Sequence, residues 1–502
     1  MPPYTLAHSV LAMDEPSDPG GTGPATGAPH TPPRQRGGDK RLVGPRAPSA
    51  DMLKERKGLL ELVRLSRDNV LNVIPAATLS RRILSGRVLR RVHLVADPEA
   101  NRKVFKSNID NYPKSPETKG ILRKALRHGL FVLDGDDWRW QRRALNPAFA
   151  PRNIRKLGPL MSRVAEESSE RLADADGSVN ISDEMMRTAF DVIVRVTFAG
   201  GDGQSAVPVD VVSRAIEHYL DKTGRVSLLD YLGLPGWVPR PGRLRTHPTL
   251  KALKAGADKA IADRRKTPNT RDAALIDLLM DVEDPETGRK MNDEELRDNL
   301  ITFLIAGHET TALTLSWALY LLAHAPAKHS KATEEAVRVL GSRTATVEDV
   351  GQLEYVRKVL YEAMRLFPPI PVHLRTAQRE DSLCEHAVKP GDTVIVPFYS
   401  LHRHKKHWKS PNCFVPERFD NMARIDRYTY MPFSVGPRIC IGAEFAMQES
   451  IIILATLLAR FRFSGVEGRA PKPKLILTLR PDEDIRLKVE PLAAEAAAGE
   501  GA

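Results

Sequence analysis

Any chemistry in this chain would start at one sulfur. Cys440 stands in the run Phe433-Ser434-Val435-Gly436-Pro437-Arg438-Ile439-Cys440-Ile441-Gly442, just ahead of a strongly apolar stretch, Ala443 to Phe461, that reads as a helix. Gly436 permits a tight turn, and Gly442 lets the backbone come close to a flat partner. A helix N-terminus and nearby donors stabilise a sulfur anion, which lowers the cysteine pKa. The plain alternative is a small buried hydrophobe. A second group, Ala306-Gly307-His308-Glu309-Thr310-Thr311, lies inside another long apolar run. Positions 306 and 310 share a helix face, and small residues there leave room. By itself this group reads as a threonine bonded back to its own helix beside an incidental glutamate. His308 fits an open space or plain packing equally. Glu362 and Arg365 are spaced for an ion pair on one helix face, and Trp138 and Arg142 fall one turn apart.

The elements that must carry these residues are mostly helices. Capped amphipathic runs lie near Trp138 to Ala148, Lys156 to Leu172, Ile181 to Thr197, Asp210 to Asp221, Thr249 to Arg265, Ala273 to Asp281, Asp293 to Ala325, Lys328 to Leu340 and Tyr355 to Leu366. Asp97-Pro98 starts another, with Asp as cap and Pro in the first turn. Strands are few. Thr393 to Pro397 follows a Pro-Gly turn, and Leu475 to Leu479 with Ile485 to Val489 reads as a hairpin around Pro481 to Asp484. Residues 1–50 are rich in Pro, Gly, Ser and Thr and read as disordered; 51–490 read as one large mainly α domain with small β-sheets, and 491–502 as a flexible tail.

Composition narrows the classes. A chain of 502 residues with 42% apolar content supports a sizeable core, and its net charge of +12 comes with 63 acidic residues interleaved, with no nucleic-acid motif. Three scattered cysteines, Cys384, Cys413 and Cys440, make neither a disulfide framework nor a zinc cluster, and fit a reducing compartment. No signal peptide is evident. The stretch Leu300 to Ala325 carries His308, Glu309 and two threonines at its middle, which suits a buried helix better than a membrane span. The expectation is a cytoplasmic protein with no transmembrane anchor.

The Cys440 run matches, position for position, the haem-binding signature F-x-x-G-x-R-x-C-x-G, so the chain resembles the cytochrome P-450 family from about residue 85 to 490. That resemblance implies the P-450 fold, a single haem domain with a long central helix over haem b. It implies Cys440 as axial ligand of the haem iron, Phe433 packed near the sulfur, Gly436 in the turn and Arg438 on a haem propionate. Ala306, Gly307, Glu309 and Thr310 match the family's A/G-G-x-D/E-T-T/S segment, where acid and alcohol relay protons to dioxygen. Glu362 and Arg365 match E-x-x-R, with Arg418 of Pro416-Glu417-Arg418-Phe419 as third partner in a structural triad. Trp138 with Arg142, and Arg375, match further propionate contacts. His402-Arg403-His404 departs from the common H-R-D, which puts the local capping in question.

The resemblance further implies a monooxygenase that inserts one oxygen atom of O2 into a lipophilic substrate and reduces the other to water. An anionic sulfur favours cleavage of the O–O bond. No flavin or nicotinamide motif is present and the ends beyond the core are short, so electrons are expected from a separate ferredoxin or flavodoxin with its reductase. Arg142, Arg143, Lys405 and Lys406 are candidates for a basic docking face on a monomer. Phe131, Val132, Leu228, Leu229, Tyr231, Ile370 and Val372 suggest a lipophilic pocket, with fatty-acid or alkyl-chain hydroxylation first. The alternatives are a haem-thiolate isomerase, dehydratase or peroxygenase, or a haem sensor or electron carrier. Glu309-Thr310 and Ala306-Gly307 count against them.

Overall fold

The computed structural model describes residues 44–55, 57, 59–87, 90–122, 126–175, 177–198, 248–266 and 274–492. The helix expected at Asp210 to Asp221 and the pocket candidates Leu228, Leu229 and Tyr231 lie outside the described residues.

The helices that frame the site are, in chain order, α1 (Gly135–Leu145), α2 (Gly158–Ala173), α3 (Ile181–Phe198), α4 (Asp293–Ala323), α5 (Pro326–Leu340), α6 (Glu354–Leu366) and α7 (Ala443–Arg460). In α1, Asp136 and Asp137 occupy the first turn and Arg142 and Arg143 the last, each sign complementing the helix dipole. Helix α4 runs for 31 residues and begins at a capping box. Asn292 Oδ1 accepts from the Glu295 N–H at 2.9 Å, and the Glu295 carboxylate accepts from the Asn292 N–H at 3.0 Å. Both α4 and α7 are apolar around most of their circumference, and both are buried on nearly every face.

Among the described residues the strands form four small sheets. Strands β1 (Ile83–Arg87), β2 (Arg91–Val95), β7 (Thr393–Val396) and β4 (His373–Thr376) form one sheet in the order β1-β2-β7-β4. Pairing in it is antiparallel at β1–β2 and β4–β7 and parallel at β2–β7. Strands β3 (Ser178–Asn180), β11 (Arg486–Pro491) and β8 (Phe461–Gly465) make a second, and β5 (Asp381–Leu383) pairs with β6 (His386–Val388).

Two expectations from the sequence change. The C-terminal hairpin forms between β9 (Pro473–Leu475) and β10 (Leu479–Pro481), while residues 486–491 leave it to pair with β8 and β3. The cause is burial: Leu487 fills the core of the second sheet, so the apolar alternation of that strand belongs there. Residues 44–50, inside the stretch read as disordered, are packed: Ala47 is buried, its N–H donates to the Asn412 carbonyl at 2.8 Å, and Phe414 donates to the Pro45 carbonyl at 2.9 Å. Backbone pairing supplies what their poor side-chain content does not. Among the described residues no helix is long and apolar enough to cross a membrane.

Candidate functional site

The Cys440 loop is held by its own backbone. Ser434 and Gly436 have φ of 63° and 74°, and a Cβ at Gly436 would fall 2.1 Å from the Phe105 carbonyl oxygen, so only glycine fits there. The Cys440 N–H donates to the Phe433 carbonyl at 2.9 Å and closes the loop just before α7. Cys440 is a free thiol with accessible surface. It nevertheless sits deep in the protein, and burial pushes the thiol up, opposed by the Gly442 N–H and by Arg142. This reverses the direction expected from the helix end alone, because desolvation outweighs the dipole. A bound metal would supply the missing charge, since a coordinating thiol is deprotonated outright.

Helix α4 presents its small residues in the same region. Ala306 is exposed and Thr310 half-buried within a helix otherwise buried from Leu300 to Ile305. Gly307 has a different reason to be small: a Cβ there would meet Ile193 Cδ1 of α3 at 3.0 Å. His308 also turns to α3, edge-on to Phe190 with 5.1 Å between ring centres, and burial lowers its pKa to about 4. It is a neutral packing residue. The Thr310 hydroxyl donates to the Ala306 carbonyl at 2.7 Å. Glu309 is buried and accepts from the Thr478 hydroxyl at 2.7 Å and from Arg480 Nε. Acid and alcohol therefore each have their own partner, as adjacent helix positions face different ways. The link from α4 to the cysteine segment runs instead through Thr311, whose hydroxyl donates to Glu449 of α7 at 3.2 Å. Burial holds the Glu449 carboxyl well above the usual carboxylate range.

A group of cations gathers around Arg438 of the cysteine loop. Arg375 is buried on β4, and its Nε and Nη1 lack hydrogen-bond partners among the described residues. Burial and the neighbouring Arg438 lower its pKa to about 10. Lys114, whose backbone bridges Arg375, is pushed well below the usual lysine range by burial, Arg438 and Arg375. Arg438 stacks 4.1 Å above the Trp138 ring and donates to the Leu133 carbonyl at 3.1 Å and to Asp134. Asp134 is the carboxylate beside the buried Arg375 and the half-buried Arg438 and Lys114, which leaves the group short of negative charge. The two propionates of a haem would provide it, so the residues fit that group. Arg142 stands elsewhere: its Nη1 donates to the Ile439 carbonyl at 2.9 Å, beside Cys440.

The Glu362, Arg365 and Arg418 side chains meet in full burial. Arg365 grips Glu362 through Nε and Nη2 at 2.6 and 2.8 Å, and Arg418 Nε adds a bond to the same carboxylate at 3.1 Å. Arg365 also donates to the His402, Pro411 and Cys413 carbonyls at 2.8, 2.7 and 3.1 Å, which ties α6 to the segment leading to the cysteine loop. At the unusual His402-Arg403-His404, His404 Nδ1 accepts the Lys406 N–H at 3.3 Å, so an imidazole does the capping of a side-chain turn. Of the pocket candidates, Val132 and Val372 are buried, Ile370 is half-buried and Phe131 is exposed.

Sequence reasoning missed Lys114, Thr478, Arg480 and Glu449. An acid in the middle of the apolar α7 was a signal for the last, because a buried carboxyl requires a partner or a proton.

A family model described as Cytochrome P450 matches residues 86–489. "Bifunctional cytochrome P450/NADPH--P450 reductase 2" of Bacillus subtilis is 32% identical over 74% of this chain, and the chain spans only 36% of that protein's length. "Cyclooctatin synthase" of Streptomyces melanosporofaciens is 31% identical over 80% of this chain and 87% of its own length. "Cyclooctat-9-en-7-ol 5-monooxygenase" of the same organism is 30% identical over 75% of this chain and 81% of its own. With the cysteine loop, the capped long helix and the cations around Arg438 of that loop, and with this match over most of its length, the chain belongs to the cytochrome P450 family of haem b-dependent monooxygenases.

Proposed function

We propose that Cys440 would supply the thiolate ligand of a haem b whose propionates Arg375, Arg438 and Lys114 would hold, with Trp138 stacked on Arg438. The observation that carries this reading is Arg375, a buried guanidinium with two nitrogens unpartnered among the described residues. Haem supplies the oxygen activation, and the protein supplies ligand, orientation and proton control. Phe433 and Gly436 keep the sulfur in place through the loop closed on the Phe433 carbonyl. Arg142, beside Cys440, compensates the sulfur anion.

Thr310 and Glu309 govern protons on the α4 side, where Ala306 leaves open surface. Thr310 spends its hydroxyl proton on the Ala306 carbonyl and so offers lone pairs to a distal donor. Glu309 must leave Arg480 or pass a proton through Thr478 before it can resupply the cleft. The Glu362-Arg365-Arg418 triad serves folding and haem incorporation.

The substrate is lipophilic, since Val132, Ile370 and Val372 are apolar, and alkyl-chain or fatty-acid hydroxylation is the first reading. A second is favoured by the Streptomyces relative whose name gives cyclooctat-9-en-7-ol as substrate. Electrons come from a separate ferredoxin or flavodoxin. Lys405 and Lys406 are exposed and suit such a partner, whereas Arg143 is already paired with Asp284 at 2.8 Å and Glu286 at 3.2 Å. The test is a reduced carbon monoxide spectrum, followed by Soret titrations with fatty acids of graded length and with cyclic alcohols. Absence of a thiolate-type band would overturn the ligand, and selective shifts by cyclic alcohols would replace the first substrate reading by the second.

A further inference from the structure

A second constellation lies at the β1–β2 side of the four-stranded sheet, whose other edge strand, β4, carries Arg375. Ser85 of the edge strand β1 stands opposite His93 of β2 in the antiparallel register. Ser85 Oγ is 2.8 Å from His93 Nδ1, and His93 Nε2 is 3.2 Å from Asp392 Oδ2. Asp392, in the turn before β7, is fixed by the Lys389 N–H, which donates to the same oxygen at 2.8 Å. From the β5–β6 hairpin, His386 Nδ1 approaches Ser85 Oγ at 3.1 Å. His93 is 1% exposed, whereas Ser85 is open to solvent.

The hydrogen-bond directions follow from the partners. An ionised carboxylate only accepts, so His93 carries its proton on Nε2 and donates it to Asp392. In the neutral ring Nδ1 then accepts, and Ser85 must be its donor. His386 Nδ1–H completes the set by donating to Ser85 Oγ. An exposed serine has water for its hydrogen bonds, so burial does not require this arrangement. An alcohol, a base and an acid that orients the base form a catalytic triad by geometry and role, whatever their order along the chain.

We propose that Ser85, His93 and Asp392 form a second reactive centre, in which Ser85 is acylated by small activated carboxylic esters and then deacylated by water. Ser85 Oγ bonds the acyl carbon while its proton passes to His93 Nδ1, and that proton leaves with the departing alcohol. As Oγ bonds carbon, the His386 N–H is released to the developing oxyanion. Water then attacks the acyl-serine with His93 again taking the proton; the acyl–Oγ bond breaks, His93 returns that proton to Ser85 Oγ, and the carboxylic acid departs. Asp392 acts as a positioning residue. The open edge of β1 selects small esters with an accessible carbonyl.

The haem-loaded full chain is treated with p-nitrophenyl acetate and, separately, with an alkyl fluorophosphonate, which bonds Ser85 Oγ with loss of fluoride. Adducts are located by peptide mass spectrometry. The expected adduct is on Ser85 and absent from Ser85→Ala, and His93→Gln slows labelling by about 100-fold or more. Asp392→Asn slows it by about 10-fold or more without changing the reduced carbon monoxide spectrum. Labelling of the unsubstituted protein slows at acid pH with one proton, a dependence lost in His93→Gln; the groups facing His93 are Ser85, His386, Asp392 and Arg91. Failure to label Ser85, or equal labelling in His93→Gln, overturns the proposal, and neither outcome bears on the haem site.

Discussion

Glu309 and Arg480 form an ion pair that ties the middle of α4 to the β9–β10 hairpin, 171 residues further along the chain. The Glu309 side chain is 3% exposed and that of Arg480 26%. The middle of α4 is thus anchored by the C-terminal hairpin, and the acid expected to move protons is held by a cation.

Arg480→Leu should leave Glu309 buried with Thr478 as its remaining hydrogen-bond partner among the described residues. Breaking a buried pair from one side costs about 3–5 kcal/mol, and the partial exposure of Arg480 places the expected loss near about 2–4 kcal/mol. Urea denaturation measures it. A loss under about 0.5 kcal/mol, the range of an ordinary surface change, would mean that the pair does not act as a buried one.

Thr310→Ala should separate chemistry from stability. Among the described residues its hydroxyl bonds to a carbonyl of its own helix alone, so unfolding should change by less than about 1 kcal/mol. Peroxide released per electron pair consumed should rise several-fold. Full coupling in this variant would contradict a role for Thr310 in proton delivery.

Arg375→Leu removes a buried cation whose Nε and Nη1 have no partner among the described residues. The haem-free protein should be no less stable for it, while haem retention weakens. A charge-assisted hydrogen bond of about 1.5–3 kcal/mol corresponds to about 10- to 100-fold in haem release. Transfer of haem to a scavenging apoprotein reports the rate, and an unchanged rate would remove Arg375 from the propionate set.

Glu362→Ala strands two buried guanidinium groups and breaks the Val415 N–H bond of 2.8 Å to the same carboxylate. The expected cost is about 3–5 kcal/mol, with little haem taken up on expression. Arg365→Lys should recover little, because an ammonium cannot reproduce the fork that holds Glu362 and three carbonyls.

What was legible in the sequence was local. Gly436 must be glycine for reasons contained within a few residues of loop and one contacting carbonyl, and Asn292 with Glu295 caps α4 within a single turn. The i, i+3 spacing of Glu362 and Arg365 likewise forecast a contact that the fold completes. Partnerships between distant segments were not legible: nothing near Glu309 names Arg480, and nothing near Thr311 names Glu449. The hairpin was misregistered because alternation marks a strand without saying which neighbour pairs with it. Nor does the sequence around Gly307 show why it is small: Ile193 fills the space beside it, a contact that depends on the approach of α3 to α4.

The last expectation concerns acid. His308 is held neutral, with a folded pKa of about 4 set first by burial and then by Arg480. The unfolded value is about 6.5, so between these values the unfolded chain binds the proton and the native one does not. The stabilisation is therefore complete above pH 6.5 and is lost as pH falls toward 4. Each pH unit in this window removes about 1.4 kcal/mol, so by pH 4.5 the loss from His308 is about 2–3 kcal/mol. Other buried histidines, such as His329, add to the decline in the unsubstituted protein. The diagnostic is a difference: His308→Leu should reduce the stability lost between pH 7 and pH 4.5 by about 2–3 kcal/mol in parallel urea titrations. Identical pH slopes for the two proteins would show that His308 does not titrate as a buried neutral ring.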